Sequence, residues 1–576
     1  MGAGSSTPAT KLTPEQKDVQ YLGERMPFGD DELKQVYRAY QGLRAMSTND
    51  RISFLTDIGV QCVSLEYREE RMMLLQAVEH KILPKNFGNR LYETAFVKSR
   101  AHSEYAENPT TTTPSSSIQD PEDSYMKMVK LEAFFEGLAQ CTRRGNAKAL
   151  SVLFHCCHPQ TSNESNGFST SGNQPVVVVD PLEFVTIGYR VGLASGFLSA
   201  TANDDGGDVG QFIPDDYDNS VTDSEAEGTT TTSPTTSDTR MGLQALAKSL
   251  IDFCDRRKQR YNPTASESTQ FVTEEEVQAW AEQVAPMLGA GLATLTHFIF
   301  FPERPCPPTR TNFEYPTMGE FTSSIIPQGN SPLWFSFACM SPALVGEYYR
   351  LYTSASDGLS FNRLQNALLG YAGPTLIIIQ SGNSIFGAFT ASPWKESKDY
   401  YGNHDCFLYQ LAPKMAVYRP TGNASNFMYC NSYARSRGYD QQAHGIGFGG
   451  TVDQPRLFLA ESFDNCRAAP QDLTFESGRL LEDAAKGSTF EIDSLEVWGV
   501  GGTAVVQEAL GARSRQRDIK NAAIQKARKV DKAQFLDDFR SGLIESKAFQ
   551  HREQIRGRDA CSAIDEDEMN HRPIGK

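Results

Sequence analysis

No run of this 576-residue sequence approaches eighteen consecutive apolar residues, and the stretch ending at Phe298–Phe301 is closed by Pro302, Glu303 and Arg304. A membrane-spanning helix is therefore not expected. Excess positive charge is also lacking: the formal net charge is -16, which argues against general nucleic-acid affinity and confines any cationic function to a local patch. The opening MGAGSSTPATK has no apolar core and no cleavage site, so a secretory leader is not expected and the cysteines belong in a reducing compartment. Those eleven cysteines are scattered without a CxxC pair and read as buried thiols, not as a disulfide framework.

What is present divides the chain by texture. Asn108–Ser117, Gln160–Gln174 and Asn203–Asp238 are rich in Thr, Ser, Gly, Asn and Asp, with too few apolar residues to offset the entropy of ordering. They read as linkers or loops without fixed structure. Elsewhere apolar residues recur at helical spacing. Leu33, Val36 and Tyr40 do so behind an acidic start that suits the helix dipole, as do Met128, Leu131, Phe135 and Leu138, and Leu243, Leu246, Leu250 and Phe253. Thr273 and Glu276 have the spacing of a capping box ahead of Val277, Trp280 and Val284. From about 330 to 500, short runs such as Thr375–Gln380, Ile385–Thr390, Cys406–Leu411 and Arg456–Leu459 are punctuated by Gly, Asn and Pro. That pattern predicts an antiparallel sandwich with the helix Leu359–Leu369 packed on it and with Phe386, Phe389, Phe407 and Trp498 filling it.

After Gly502 the pattern returns to helix, and Arg513, Arg515, Arg517, Lys520, Lys526, Arg528, Lys529 and Lys532 face only Asp518 and Asp531. The fold class is thus α+β in several parts: an N-terminal segment 1–20, a helical domain 21–107, a linker 108–120, a helical domain 121–300 with insertions 160–174 and 203–238, an antiparallel β-sandwich domain with flanking helices over 315–502, and a basic C-terminal helix with an acidic tail over 503–576.

Gly2, with Ser6 four residues on, fits the N-myristoylation rule. One myristoyl chain partitions with a constant on the order of 10⁴ M⁻¹, so such attachment is reversible and needs a second contact. His155, Cys156, Cys157 and His158 are adjacent and cannot all converge on one tetrahedral ion. Asn203–Asp208 lacks the alternating oxygens, sixth-position Gly and twelfth-position Glu of a calcium loop. No metal or other cofactor is assigned. Ser336, His404, Asp405, His444 and Glu461 supply the residue types of a hydrolase, but no G-x-S-x-G elbow surrounds Ser336, and Gly445–Gly450 lacks the Lys-Ser/Thr of a phosphate loop. No catalytic residue is assigned either. The tail helix is the richer surface: Ile519, Ala523, Val530 and later Leu536, Phe539 and Leu543 read as a narrow apolar stripe beside the basic residues, a form that docks in a partner's groove. Arg513, Arg517, Lys520, Val530, Leu536 and Phe539 are the partner-binding candidates.

Five blocks in order carry a resemblance: SPLWFSFACMSPALVGEYYRLYTSASDGLSFNRL, GYAGPTLIIIQSGNSIFGAFTASPW, YYGNHDCFLYQLAP, GIGFGG and FEIDSLEVWGV. Together they resemble the TLDc family over about a third of the chain, and the order of parts resembles its N-myristoylated, lysosome-associated members linked to mTOR signalling. The resemblance implies EF-hand-like helices within 121–300 and a non-enzymatic, reversibly membrane-attached regulator. It also implies, as partners, the peripheral sector of the vacuolar proton pump and mTOR signalling components, and a cytoplasmic location on lysosomal or other endomembranes. A different reading, also implied by the family, is oxidative-stress resistance through hydrolytic or antioxidant activity. A third is an adaptor acting through its N-terminal helices.

Overall fold

The computed structural model describes residues 13–45, 83, 87–92, 94–95, 131–159, 177–196, 234–261, 269–300, 313–319, 321–326, 331–432, 443–481 and 488–540. Gly2, the 108–120 linker, the 160–174 insertion and residues 541–576 lie outside them, as does most of the 203–238 insertion. The last residues of that insertion are helical, since a helix begins at Pro234.

The helices preceding the sheets are α1 (Pro14–Gly23), α2 (Asp30–Ala45), α3 (Phe87–Tyr92), α4 (Leu131–Thr142), α5 (Asn146–His155), α6 (Pro181–Gly196), α7 (Pro234–Tyr261), α8 (Glu274–Val284), α9 (Ala290–Phe300) and α10 (Pro332–Met340). Their starts follow the local chemistry. Asp30, Asp31 and Glu32 occupy the first turn of α2, and Thr273 and Glu276 form the reciprocal capping box of α8. The predicted apolar faces are inside: Leu33, Val36, Phe135, Leu138, Leu246, Leu250 and Trp280 are all buried.

Two six-stranded sheets follow, with every pairing antiparallel. The strands are β1 (Tyr349–Thr353), β2 (Thr375–Ser381), β3 (Ser384–Thr390), β4 (Ser397–Tyr401), β5 (Phe407–Ala412), β6 (Ala416–Tyr418), β7 (Met428–Asn431), β8 (Gly445–Gly450), β9 (Pro455–Ala460), β10 (Cys466–Ala468), β11 (Ser488–Phe490) and β12 (Ser494–Gly499). The first sheet runs β1-β12-β2-β3-β5-β6 and the second β11-β10-β9-β8-β7-β4. Two short helices, α11 (Ser354–Asp357) and α12 (Phe361–Leu368), sit between β1 and β2, and α13 (Thr503–Arg540) follows β12. The fold is therefore α+β.

Register decides which core each residue serves. Trp498, Leu376, Phe389 and Phe407 lie side by side across four strands, and all four face a core shared with the helices, where Trp498 packs edge-on against Trp334 at 5.9 Å. One residue along, Val497, Ile377, Ala388, Leu408 and Tyr418 form the next row and face the second sheet. Phe386 fills the sandwich as predicted, edge-on to Phe490 at 5.3 Å. Phe389, Phe407 and Trp498 do not: the period of two sends them to the helical side. The first sheet is thus covered on both faces, which explains why TLIIIQ is continuously apolar although its sheet is antiparallel.

Candidate functional site: the basic helix and the domain before it

β12 is followed by Gly501 and Gly502, whose φ angles of +109° and +87° suit only glycine. α13 then starts, with the Val506 N–H donating to the Gly502 carbonyl at 3.0 Å and Val506 buried. Ala, Arg, Lys and Gln, all strong helix formers, dominate the segment, so the helix of 38 residues continues from propensity beyond its first two turns, where Val506 and Ala509 are buried. Its length is about 57 Å at 1.5 Å per residue.

All six candidate residues sit on this helix. Arg517 and Lys520 are exposed, as are Arg515, Lys526, Arg528, Lys529 and Lys532, while Arg513 is half-buried. Leu536 is 46% exposed; the side chains of Val530 and Phe539 fall outside the described set. The predicted stripe divides: at about 100° per residue Ile519, Ala523 and Val530 fall within about 40° of one another, while Leu536 and Phe539 fall on other sides. Ile519, Ile524 and Leu536 are exposed and point in three directions roughly 100–140° apart. The basic residues cover the rest of the circumference and leave open the side of Ile519, a sector of about 120°. The arrangement is a positively charged rod with exposed apolar anchors on more than one side.

The nucleophile and base considered for catalysis, Ser336 and His404, lie on opposite sides of the first sheet. Ser336 is buried in α10, where its hydroxyl donates to the Pro332 carbonyl at 2.8 Å, and its neighbours Phe335 and Phe337 belong to the core on the helical side of the first sheet. The His404 ring lies 5.0 Å from Phe427, a residue of the core on the opposite side. Asp405 accepts from Asn403 in the same loop at 3.2 Å, and the His444 carbonyl accepts from the Glu461 N–H at 3.0 Å. A cavity of about 720 Å³ opens between α7, α8 and the β5–β6 hairpin, but no His, Cys or Asp lines it, and its one carboxylate, Glu476, accepts the Arg419 N–H at 3.2 Å.

The described cysteines are buried and free. Burial pushes the thiol of Cys466 up to about 11 and those of Cys254 and Cys430 to about 12. A thiol at about 11 is ionised in roughly one molecule in 10⁴ at neutral pH, which leaves little nucleophile for peroxide chemistry. Within the former HCCH candidate, Cys156 and Cys157 are buried, His155 contacts Glu274 at 3.1 Å and His158 contacts Glu183 at 2.6 Å. Among the described residues no group of three could hold a metal ion.

Two buried charges escaped the sequence reading. Glu496 is wholly buried and accepts from Ser323 Oγ at 2.7 Å, Ser324 N at 2.5 Å, Ser324 Oγ at 2.8 Å and Trp498 Nε1 at 2.9 Å. Arg456, also wholly buried, lies 3.5 Å from Asp472, and burial lowers its pKa more than that partner raises it. The available signal was a charge inside an apolar strand, SLEVWG and PRLFLA. Both are anchors of the fold that presents α13.

The TLDc domain family matches residues 323–501. The chain carries a TLDc domain. Similar proteins include the MTOR-associated protein MEAK7 of Danio rerio, 30% identical over 184 residues that make up 31% of this chain and 36% of that protein. The MTOR-associated protein MEAK7 of Homo sapiens is 30% identical over 167 residues, 28% of this chain and 34% of that protein. Oxidation resistance protein 1 of Xenopus tropicalis is 27% identical over 129 residues, 22% and 15% of the respective lengths. The matched part therefore spans about a third of the MEAK7 proteins.

Proposed function

We propose that this chain is a non-enzymatic TLDc regulator that acts by binding a protein partner through α13. The observation that carries the reading is the rod of exposed Arg and Lys residues leaving the TLDc domain directly after β12. Such a rod steers association with an acidic surface. The partner proposed is the peripheral sector of the vacuolar proton pump, with mTOR signalling as the pathway served; the relatives named MTOR-associated protein MEAK7 support the second part. Attachment is reversible, through myristoylated Gly2 on lysosomal or other endomembranes, the protein partner supplying the second contact that one acyl chain requires. Affinity purification of the tagged chain with and without residues 503–576 tests the proposal. Recovery of pump subunits is expected only with the helix present, and equal recovery without it would end the reading. Gly2→Ala is expected to move the chain from the membrane to the soluble fraction.

A second reading, favoured by the relatives named Oxidation resistance protein 1, is a hydrolytic or antioxidant enzyme. Turnover by the purified chain that is abolished by Ser336→Ala or His404→Ala would support it. The separation of those two residues by the first sheet and the raised thiols speak against it.

A further inference from the structure

The cavity of about 720 Å³ between α7, α8 and the β5–β6 hairpin has no part in either functional reading, and no residue of α13 lines it. It sits where the helices meet the TLDc domain. Two contacts fix its walls: the Met415 N–H donates to the Ala245 carbonyl at 3.2 Å, and Lys414 pairs with Asp252 at 2.6 Å. Pockets for small organic molecules enclose roughly 300–1,000 Å³.

The lining is graded from an apolar floor to a charged mouth. Met415, Val417 and Tyr418 are buried, and two polar groups interrupt them. Gln410 is 2% exposed, and its side-chain amide makes no hydrogen bond to a described residue. Ser249 is also buried; its oxygen accepts from Trp280 Nε1 at 3.2 Å, which leaves its own proton to donate. Buried groups of this kind cost free energy until something supplies their partners.

At the mouth, Arg256 and Arg479 are exposed and Lys414 is half-buried. These three cations face one lining carboxylate, Glu476, a local reversal of sign in a chain of net charge -16. Asp252 neutralises Lys414. Arg256 has no carboxylate partner among the described residues: its Nε donates to the Asp252 carbonyl at 3.2 Å, and both Nη groups remain for a ligand. Its field reaches the wall, since burial raises the Tyr418 hydroxyl to about 12 and Arg256, after Arg456, opposes that rise.

We propose that this cavity binds a small organic phosphate the size of a mononucleotide, with a ring-shaped body against Val417, Tyr418 and Gln410 and its phosphate on Arg256 and Arg479. An amide that can donate and accept suits the polar edge of a heterocycle, and a guanidinium fork suits two oxygens of a phosphate. An inorganic ion would leave the floor unused, and a neutral ring would leave Arg256 unmatched. Because α7 and α8 supply one wall and the TLDc domain the other, occupancy ties the two together and should appear as stability.

Adenosine monophosphate is the probe, with melting of the full chain and the emission of Trp280, one hydrogen bond from the cavity, as readouts. The melting point should rise by about 2–4 °C at roughly a hundredfold excess over Kd, and Trp280→Phe should remove the emission change while keeping the melting shift. Arg256→Ala should weaken binding roughly tenfold without lowering the melting point of the free chain. Gln410→Leu should weaken it about fivefold; if that variant does not fold, Arg256→Glu, at an exposed position, should abolish binding and reads the same question. Adenosine and inorganic phosphate, each half of the ligand, should both bind more weakly than the whole. No melting shift with millimolar adenosine monophosphate, equal protection by adenosine or by inorganic phosphate alone, or unchanged binding by Arg256→Ala overturns the proposal.

Discussion

At Gly387 the Tyr409 side chain passes the strand to donate its hydroxyl to the Ile377 carbonyl at 2.6 Å. A Cβ there would lie 1.8 Å from that carbonyl oxygen and 2.7 Å from the Tyr409 hydroxyl, so β2 and β3 could not keep their pairing. Overpacking costs about 1–3 kcal/mol and the displaced hydrogen bond about 1 kcal/mol more. Gly387→Ala should therefore lower stability by about 3 kcal/mol in urea unfolding, and Tyr409→Phe by about 1 kcal/mol; equal stability of the alanine variant and wild type would refute the crowding argument. Glu496 is the matching case for charge. Its carboxylate accepts from Ser323, Ser324 and Trp498, so every neighbour is a donor. Glu496→Gln puts an NH₂ against those donors and should cost about 3 kcal/mol, with Asp restoring less than half because it falls short of the Ser323–Ser324 turn.

Among the elements, α5 and α8 are joined by His155 and Glu274 at 3.1 Å, and that hydrogen bond, more than burial opposes it, holds the Glu274 carboxyl below its ordinary value of 4.5. A carboxyl whose folded pKa is depressed adds stability above its unfolded pKa and loses it as pH falls through the folded one. His155→Ala should therefore destabilise the chain at neutral pH and lose less on acidification below about 4.5 than wild type does; parallel acid limbs would sink the assignment. In α13, Arg517→Gln with Lys520→Gln should slow association with the proposed partner, the pump's peripheral sector, roughly tenfold at low salt and flatten its salt dependence. Leu536→Asp should act on dissociation instead, because a charge would enter a desolvated contact. Surface-plasmon kinetics separate the two, and identical effects of both changes would mean that charge and anchor are not distinct.

The elements also mark where the sequence was readable. Capping of α8 by Thr273 and Glu276 and the buried faces of α2 and α7 followed from local spacing, because backbone donors and helical period are local facts. The strands of TLIIIQ and IFGAFT were likewise visible. Which face each aromatic serves was not, since Phe389 and Trp498 answer to layers contributed by distant chain. The α13 stripe was legible only in its first half: Ile519, Ala523 and Val530 share a side, whereas Leu536, seventeen residues or about 4.7 turns beyond Ile519, falls on another.

At the scale of the molecule, the compact unit ending at Glu508 buries one continuous core running from Leu22 in α1 to Val500 after β12. Phe335 of α10 sits 5.4 Å from Tyr189 of α6 and 5.9 Å from Phe313. The Met415 N–H donates to the Ala245 carbonyl at 3.2 Å, Lys414 pairs with Asp252 at 2.6 Å, and Arg419 Nε donates to the Gln283 carbonyl at 3.0 Å. The TLDc match begins at 323, so each of these contacts crosses out of the matched segment. Cut at its family boundaries, the domain would expose the apolar side of α10 and leave Lys414 and Arg419 without those partners. Losing several buried contacts at about 1–3 kcal/mol each should lower the melting point of residues 323–501 alone by more than roughly 10 °C relative to the full chain. A fragment of residues 131–508, which keeps α4 to α9, should recover most of that difference and unfold in one transition. Scanning calorimetry decides: a fragment 323–501 as stable as the full chain, or a separate sandwich transition in the full chain, would show that the helices cover the sheet without supporting it.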